Sequence, residues 1–251
     1  MPLTLIMRLP AISGIIDRRI LANYRVDPDY MARVLPPPFQ PQLVNDHAIG
    51  GICLIRLKNV RPKILPLPWG IGSENAAHRI AVEWYTADGL QQGVYIPRRD
   101  TNSRLNSWAG GRVFPGIHHL ASFEVHESDN HLSVTMTSDD GLANVHVSGL
   151  VADDIPGGSA FNSLESASKF FERGSLGYSD TQTNGRFDGL ELKCHGWRVQ
   201  AIDIERIESS FFGDSSRFPP GTATFDCALL MREIVHEWHG RSDLCCSSNW
   251  A

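Results

Sequence analysis

Between Ala121 and Ser148 the chain switches face at every residue, and this one pattern restricts the possible fold more than any other feature. Ala121, Phe123 and Val125 alternate with Ser122, Glu124 and His126; beyond Ser128-Asp129-Asn130, Leu132, Val134 and Met136 alternate with His131, Ser133 and Thr135. Asp140-Gly141 turns the chain again, and Ala143, Val145 and Val147 alternate with Asn144, His146 and Ser148. Successive strand side chains point to opposite faces, so three such runs joined by turn residues predict a three-stranded meander with one face inward. The same period recurs upstream. Ile80, Val82 and Trp84 alternate with Ala81, Glu83 and Tyr85, and Ala87-Asp88-Gly89 turns the chain into residues 92–96, a second hairpin signal.

Residues 48–60 are apolar on both parities near their start (Ile49, Ile52, Cys53, Leu54), which predicts a long central strand buried on both faces at one end. Trp197 and Val199 fall on one parity and Ile202 and Ile204 on the other, suggesting a bulge between them. Ala223, Phe225, Cys227, Leu229 and Met231 give a last alternation. Helix signals are few. Asp27-Pro28 opens a short helix that must stop before Pro36-Pro37-Pro38, because proline fits only the first turn. Residues 163–173 form a second, with Asn162 as cap, Glu165 in the manner of a capping box and Gly174 as stop. The stretch 174–189, rich in Gly, Ser, Thr and Asn, reads as a flap or a boundary. The expected class is therefore mainly β, a curled antiparallel sheet or barrel with a few short helices, in one domain whose residues 1–17 form an N-terminal extension.

At 251 residues such a domain has enough chain for a sizeable core. A formal charge of -5 and an isoelectric point near 6.0 disfavour nucleic acid or an anionic membrane as partner. A small molecule or a protein is expected instead. The five cysteines are odd in number and contain no C-x-x-C pair, which argues against a disulfide framework. The apolar run 3–16 is interrupted by Arg8 and Pro10 and is too short to span a bilayer, so a cytoplasmic location is expected. Lys58, Lys63, Lys169 and Lys193 are the chain's lysines, and every other basic residue of its Lys and Arg set is arginine. Arginine grips carboxylates in a planar fork without offering a nucleophile.

The segment Gly111-Arg112-Val113-Phe114-Pro115-Gly116-Ile117-His118-His119 resembles the catalytic stretch of the acetoacetate decarboxylases, where a Gly-Arg pair leads through an aromatic-Pro step to a lysine that forms a Schiff base with a keto acid. Gly116 and Ile117 stand where that lysine should be. Tyr24-Arg25-Val26-Asp27 with Leu35-Pro36 resembles the family's strand, short helix and Pro stop; Ser73-Glu74-Asn75 lies where the family places an active-site Glu, and Arg18 or Arg19 near its N-terminal substrate-facing Arg. From Ser163 to Ile234 the chain is similar to an uncharacterised bacterial branch of the superfamily. The resemblance implies a cone-shaped antiparallel β-barrel around a small pocket, with oligomer formation as a further expectation. Imine chemistry requires a desolvated amine, and none stands in the matching segment. The expected function is binding or conversion of a small oxo acid or related carbonyl compound, as a lyase or hydrolase acting without a Schiff base and without a cofactor. A non-catalytic binding barrel is the alternative.

Candidate site residues follow. If a strand begins at His118, His119 shares parity with Ala121 and points inward as a general base, whereas His118 points out and is counted among the substrate-binding candidates; the structural alternative for His119 is a core histidine held by backbone hydrogen bonds. Glu74 is the second candidate acid or base, with a loop carboxylate paired to Arg79 as its alternative. Arg112 is the candidate carboxylate clamp, against a turn-locking arginine. Tyr95 and Trp84 are expected to line the pocket with Val82, Val94 and Phe123, against ordinary core positions. No metal site is expected: His236-Glu237-Trp238-His239 lacks metallopeptidase spacing, and an extended strand would turn the two histidines apart. Ile155-Pro156-Gly157-Gly158-Ser159 is a turn without the phosphate-loop signature, and no G-x-S-x-G elbow occurs.

Overall fold

The computed structural model describes residues 11–64, 69–111 and 115–245. Its elements are β1 (Ile12–Val26), α1 (Pro28–Val34), β2 (Gln40–Pro41), β3 (Leu43–Val44), β4 (His47–Pro62), β5 (Ile71–Thr86), β6 (Gly89–Thr101) and α2 (Arg104–Ala109). Then come β7 (His118–Glu127), β8 (His131–Ser138), β9 (Asn144–Ala152), α3 (Leu164–Arg173), β10 (Leu176–Asp180), β11 (Arg186–His195), β12 (Gln200–Ser209) and β13 (Ala223–Cys245). The alternating runs of the meander are β7, β8 and β9, paired antiparallel with Val134 opposite both Val125 and Val147. The predicted hairpin is β5 and β6, and the doubly apolar run is β4, flanked by β1 and β5.

The strands of the described residues belong to one 13-stranded sheet in the order β11-β10-β6-β7-β8-β9-β12-β13-β1-β4-β5-β2, with β3 on β4 and additional pairings of β5 with β6 and of β11 with β13. These two extra pairings close the order on itself twice. One circuit runs from β6 through the meander, β12, β13, β1, β4 and β5 back to β6; the other passes from β6 through β10 and β11 to β13 and returns along the same shared strands. A shared strand presents one parity to each circuit. Ile20, Ile52, Leu54, Ile80 and Val82 pack with Val134 and Met136 of the meander in one cluster of buried residues. Leu21, Cys53, Ile55, Leu57 and Ala81 pack with Phe171 of α3 in the other.

The sheet differs from the expected all-antiparallel arrangement because β6 runs parallel to both β7 and β10. The connection from β6 to β7 is a crossover carrying α2, not a hairpin, and a crossover delivers its strand in parallel. The stretch 174–189 is not an open flap: it supplies β10 and the first residues of β11. β10 finds backbone partners on both edges, and Gly93 lets it approach, since a Cβ there would lie 2.4 Å from the Leu176 carbonyl oxygen. Residues 12–17 lie within β1, paired with β13 and β4, although the sequence reading sets 1–17 apart as an extension.

Trp197 and Val199 precede β12, so no bulge separates them from Ile202; the irregularity of that strand lies at Ile204/Arg206. Helix α1 is capped by the Asp27 carboxylate, which accepts from the Asp29 and Tyr30 amides. Helix α3 starts one residue later than the pattern suggested: Ser163 is the cap and Ser166, not Glu165, completes the capping box. No helix among the described residues is long and apolar enough to cross a membrane.

Candidate functional site

The second circuit is hollow. A cavity of about 470 Å³ opens between the odd-numbered faces of β4 and β5, the neighbouring wall of β1 and β6, the strands β10 and β11, and helices α2 and α3. Its walls are largely apolar: Leu21, Ile55, Leu57, Phe170, Phe171 and Trp238 contribute. Into this surface project the guanidinium groups of Arg19 on β1, Arg79 on β5 and Arg99 on β6, together with the His118 imidazole at the start of β7. The sheet register explains their convergence. Cys53 lies opposite both Leu21 and Ala77, Ala77 opposite Arg99, and Arg99 opposite His118, so these residues form one row across five strands; Arg19 and Arg79 lie in the adjoining rows, opposite Ile55 and Gly51.

None of the three arginines is paired with a carboxylate among the described residues. Arg19 Nε donates to Cys53 Sγ at 3.3 Å, and its guanidinium stands 5.8 Å from the Trp197 ring centroid. Arg79 is buried; it donates through Nη2 to Asn23 Oδ1 and lies 4.6 Å above the Phe171 ring, while its Nε has no partner. Arg99 Nε donates to Ser179 Oγ at 3.0 Å. Burial pushes the Arg79 and Arg99 guanidinium groups down to about 10, still protonated at neutral pH but poorly solvated. His118 is pushed down to about 3 by burial first and by the Arg99 charge second. The imidazole is neutral. Its Nδ1 sits 3.1 Å from the Gly116 carbonyl oxygen, an acceptor only, so Nδ1 carries the proton and Nε2 is left with the lone pair. A cavity with three under-neutralised cations and apolar walls can hold an anion, and a carboxylate fits the guanidinium fork.

The histidine pair is oriented oppositely to the expectation. His118 lines the cavity, whereas His119 is on the other face of β7, with Nδ1 3.2 Å from Asp140 Oδ2. Parity with Ala121 does point His119 toward the packed circuit, but the hollow circuit lies on the other side. Glu74 also faces away from the cavity, between its lining neighbours Ser73 and Asn75. Its carboxylate accepts from Arg18 Nη2 and Arg56 Nε, each at 2.6 Å, and not from Arg79. Trp84 and Tyr95 belong to the packed cluster and are not among the cavity-lining residues; the Tyr95 hydroxyl donates to Asp180 Oδ2 at 2.8 Å. Val82 and Phe123 lie on that packed side too, whereas Val94 lines the cavity. Arg112 lies outside the described residues. Of the two arginines noted near the N-terminus, Arg19 faces the cavity and Arg18 the ion cluster around Glu74.

All four lysines are more than half exposed at their side chains, each beside a carboxylate (Asp17, Glu237, Glu165 and Glu191), and none lines the cavity. The space beside Gly116 is taken by Arg99: a Cβ at Gly116, where φ is 81°, would lie 2.9 Å from Arg99 Nε. Arg19, Arg79 and Arg99 carried one sequence signal that the parity argument passed over. Each is a charged residue inside a long strand beside at least one buried neighbour, a position that costs free energy unless the charge has a partner.

The family model DUF2071, described as an uncharacterized conserved protein family (COG2071), matches residues 16–226. No curated protein sequence matches the chain. Among solved structures, acetoacetate decarboxylase from Legionella pneumophila superposes with a TM-score of 0.60 at 11% identity, covering 96% of this chain and 88% of that one. The enduracididine biosynthesis enzyme MppR, complexed with the condensation product of pyruvate and imidazole 4-carboxaldehyde, gives 0.60 at 12% identity, covering 98% and 93%. An acetoacetate decarboxylase-like enzyme from Sphingomonas wittichii RW1 gives 0.57 at 10% identity, covering 96% and 94%. The chain belongs to the DUF2071 family and has the fold of the acetoacetate decarboxylase-like superfamily.

Proposed function

We propose that this protein binds a small-molecule carboxylate, of the oxo-acid class, in the cavity between α2, α3 and the β4–β5 wall, without forming an imine. The observation that carries the reading is the convergence of Arg19, Arg79 and Arg99 on one largely apolar chamber with no ion pair to a carboxylate among the described residues; only Arg99 feels one nearby, the buried Asp188. Burying a charge without a partner is costly, and an anionic ligand removes that cost on binding. The structure of MppR with pyruvate supports the ligand class by fold analogy alone. Arg79 serves as the buried anchor, Arg99 and Arg19 follow it in the next two rows of the sheet, and any proton transfer falls to His118, whose Nε2 carries the lone pair.

A binding role without turnover has one observation in its favour. A base pushed down to about 3 is a weak acceptor at neutral pH. A bound anion would offset the Arg99 charge and raise that basicity, so the two readings separate only with ligand present. Calorimetric titration with 2-oxo and 3-oxo acids tests the site. Arg79→Met and Arg99→Met should each weaken binding at least tenfold while the circular dichroism spectrum is retained. Unchanged affinity in both variants would remove the anion site. Turnover followed by proton NMR and lost in His118→Gln, with binding retained, selects the enzyme; retention without turnover in the unmodified protein selects the binder.

A further inference from the structure

We propose that the ligand is an amphiphilic monocarboxylate, its head held among Arg19, Arg79 and Arg99 and its apolar body lying along β4 and β5 toward the cavity mouth. This rests on the anion-binding reading above and adds the shape of what is bound. The sheet register grades the cavity from charge to grease. The rows through Gly51, Cys53 and Ile55 of β4 bring in Arg79, Arg99 and Arg19. Further along the same strands Leu57 stands opposite Ser73, Val60 opposite Ile71, and Ile12 opposite both Pro62 and Trp238.

From Leu57 outward the wall is therefore mainly aliphatic and aromatic, and α2 adds Leu105 and Trp108 to it. Exposure follows the same direction. Arg79 is 5% exposed and Arg19 and Arg99 are half-buried, while Ile71, Leu105 and Trp108 are 44%, 51% and 62% exposed, so Arg79 lies deep and these apolar residues form the mouth. Polar residues interrupt this wall, Ser73 and Asn106 among them, and the charged Arg61 and Glu172 stand partly or fully in solvent. The seven steps from Cys53 to Val60 span roughly 23 Å of strand.

An acid as short as pyruvate would occupy only the cationic end of a chamber of about 470 Å³ and leave water against apolar walls. A ligand whose body is also apolar covers both ends at once. Asn75, in the Arg19 row opposite Ile55, lines the cavity where the cationic zone meets the apolar one.

The test is calorimetric titration of the whole chain with straight-chain carboxylates from acetate to decanoate, with decanol as the uncharged counterpart. Each added methylene should tighten binding about three- to fourfold until the body reaches the mouth. Arg99→Met should weaken every acid by a common factor of at least ten and leave the gain per methylene intact. Leu57→Trp, or the more exposed Ile71→Trp should the former fail to fold, should abolish the gain for long acids while short acids bind as before. An affinity independent of chain length, with Arg99→Met still weakening it, would overturn the amphiphile and leave the anion site standing. Decanol binding as tightly as decanoate, with Arg99→Met without effect, would overturn the anion site itself.

Discussion

At the scale of single residues, the molecule carries several titratable groups whose charged forms it disfavours. His78 and His236 are buried and pushed down to about 4, and His118 to about 3, in each case by burial first. His236 has neither ring nitrogen partnered, and its ring lies 4.4 Å from that of Trp238. A histidine whose folded pKa is depressed binds its proton first in the unfolded chain, so unfolding takes up protons wherever the pH lies between the folded and unfolded values. Stability is complete above about 6.5 and falls as the pH drops toward about 4, by on the order of 3 kcal/mol for each such histidine. Urea midpoints at pH 7.5, 6 and 5 should decline in that order, and His236→Phe should flatten the decline. A midpoint constant from pH 7.5 to 5, or an unchanged slope in the variant, would contradict this account. The alternation never singled out His78, because a histidine satisfies a polar or an apolar slot equally well.

Among the elements, the even face of β1, β4 and β5 ends in an ion cluster that the cavity does not share. Arg18 is fully buried at its side chain and donates to Glu74 and to Glu127 of β7, while Arg56 reaches Glu74 at 2.6 Å and Glu127 at 3.1 Å. This places Glu74 as a strut joining β5 to β1 and β4. Removing one partner of a buried pair leaves the other charge uncompensated. Glu74→Gln should therefore lower the unfolding free energy by about 2–4 kcal/mol, measured by urea denaturation, and change ligand affinity less than twofold. Loss of turnover at full stability would instead restore Glu74 to the chemistry. Short-range rules located most elements. Helix α1 follows from Asp27 and the proline run, α3 from its Ser163 to Gly174 frame, and the meander from its turns. They missed β10 and α2, whose sequences are ordinary and whose partners come from far along the chain: β10 is held by β6 and by β11.

For the whole molecule, the placement of the lysines limits the chemistry. Each ammonium group is solvated and beside a carboxylate, which is the opposite of the desolvated amine that attacks a carbonyl. Incubation with pyruvate and borohydride should leave the intact mass unchanged, and a stoichiometric adduct mapping to any of the four would refute the imine-free reading. The scarcity of amines could be read directly from the letters, as could the β class, the hairpins and the caps, because each depends on a residue and its near neighbours. Which side of each strand is hollow could not. Alternation divides a strand into two faces, and here both faces of the shared strands are enclosed, one by the meander and one by β10, β11 and α3. Only the non-local pairings of β6 with β7 and β10, and of β11 with β13, decide that His118 rather than His119, and Arg19, Arg79 and Arg99 rather than Glu74, Trp84 and Tyr95, face the empty space.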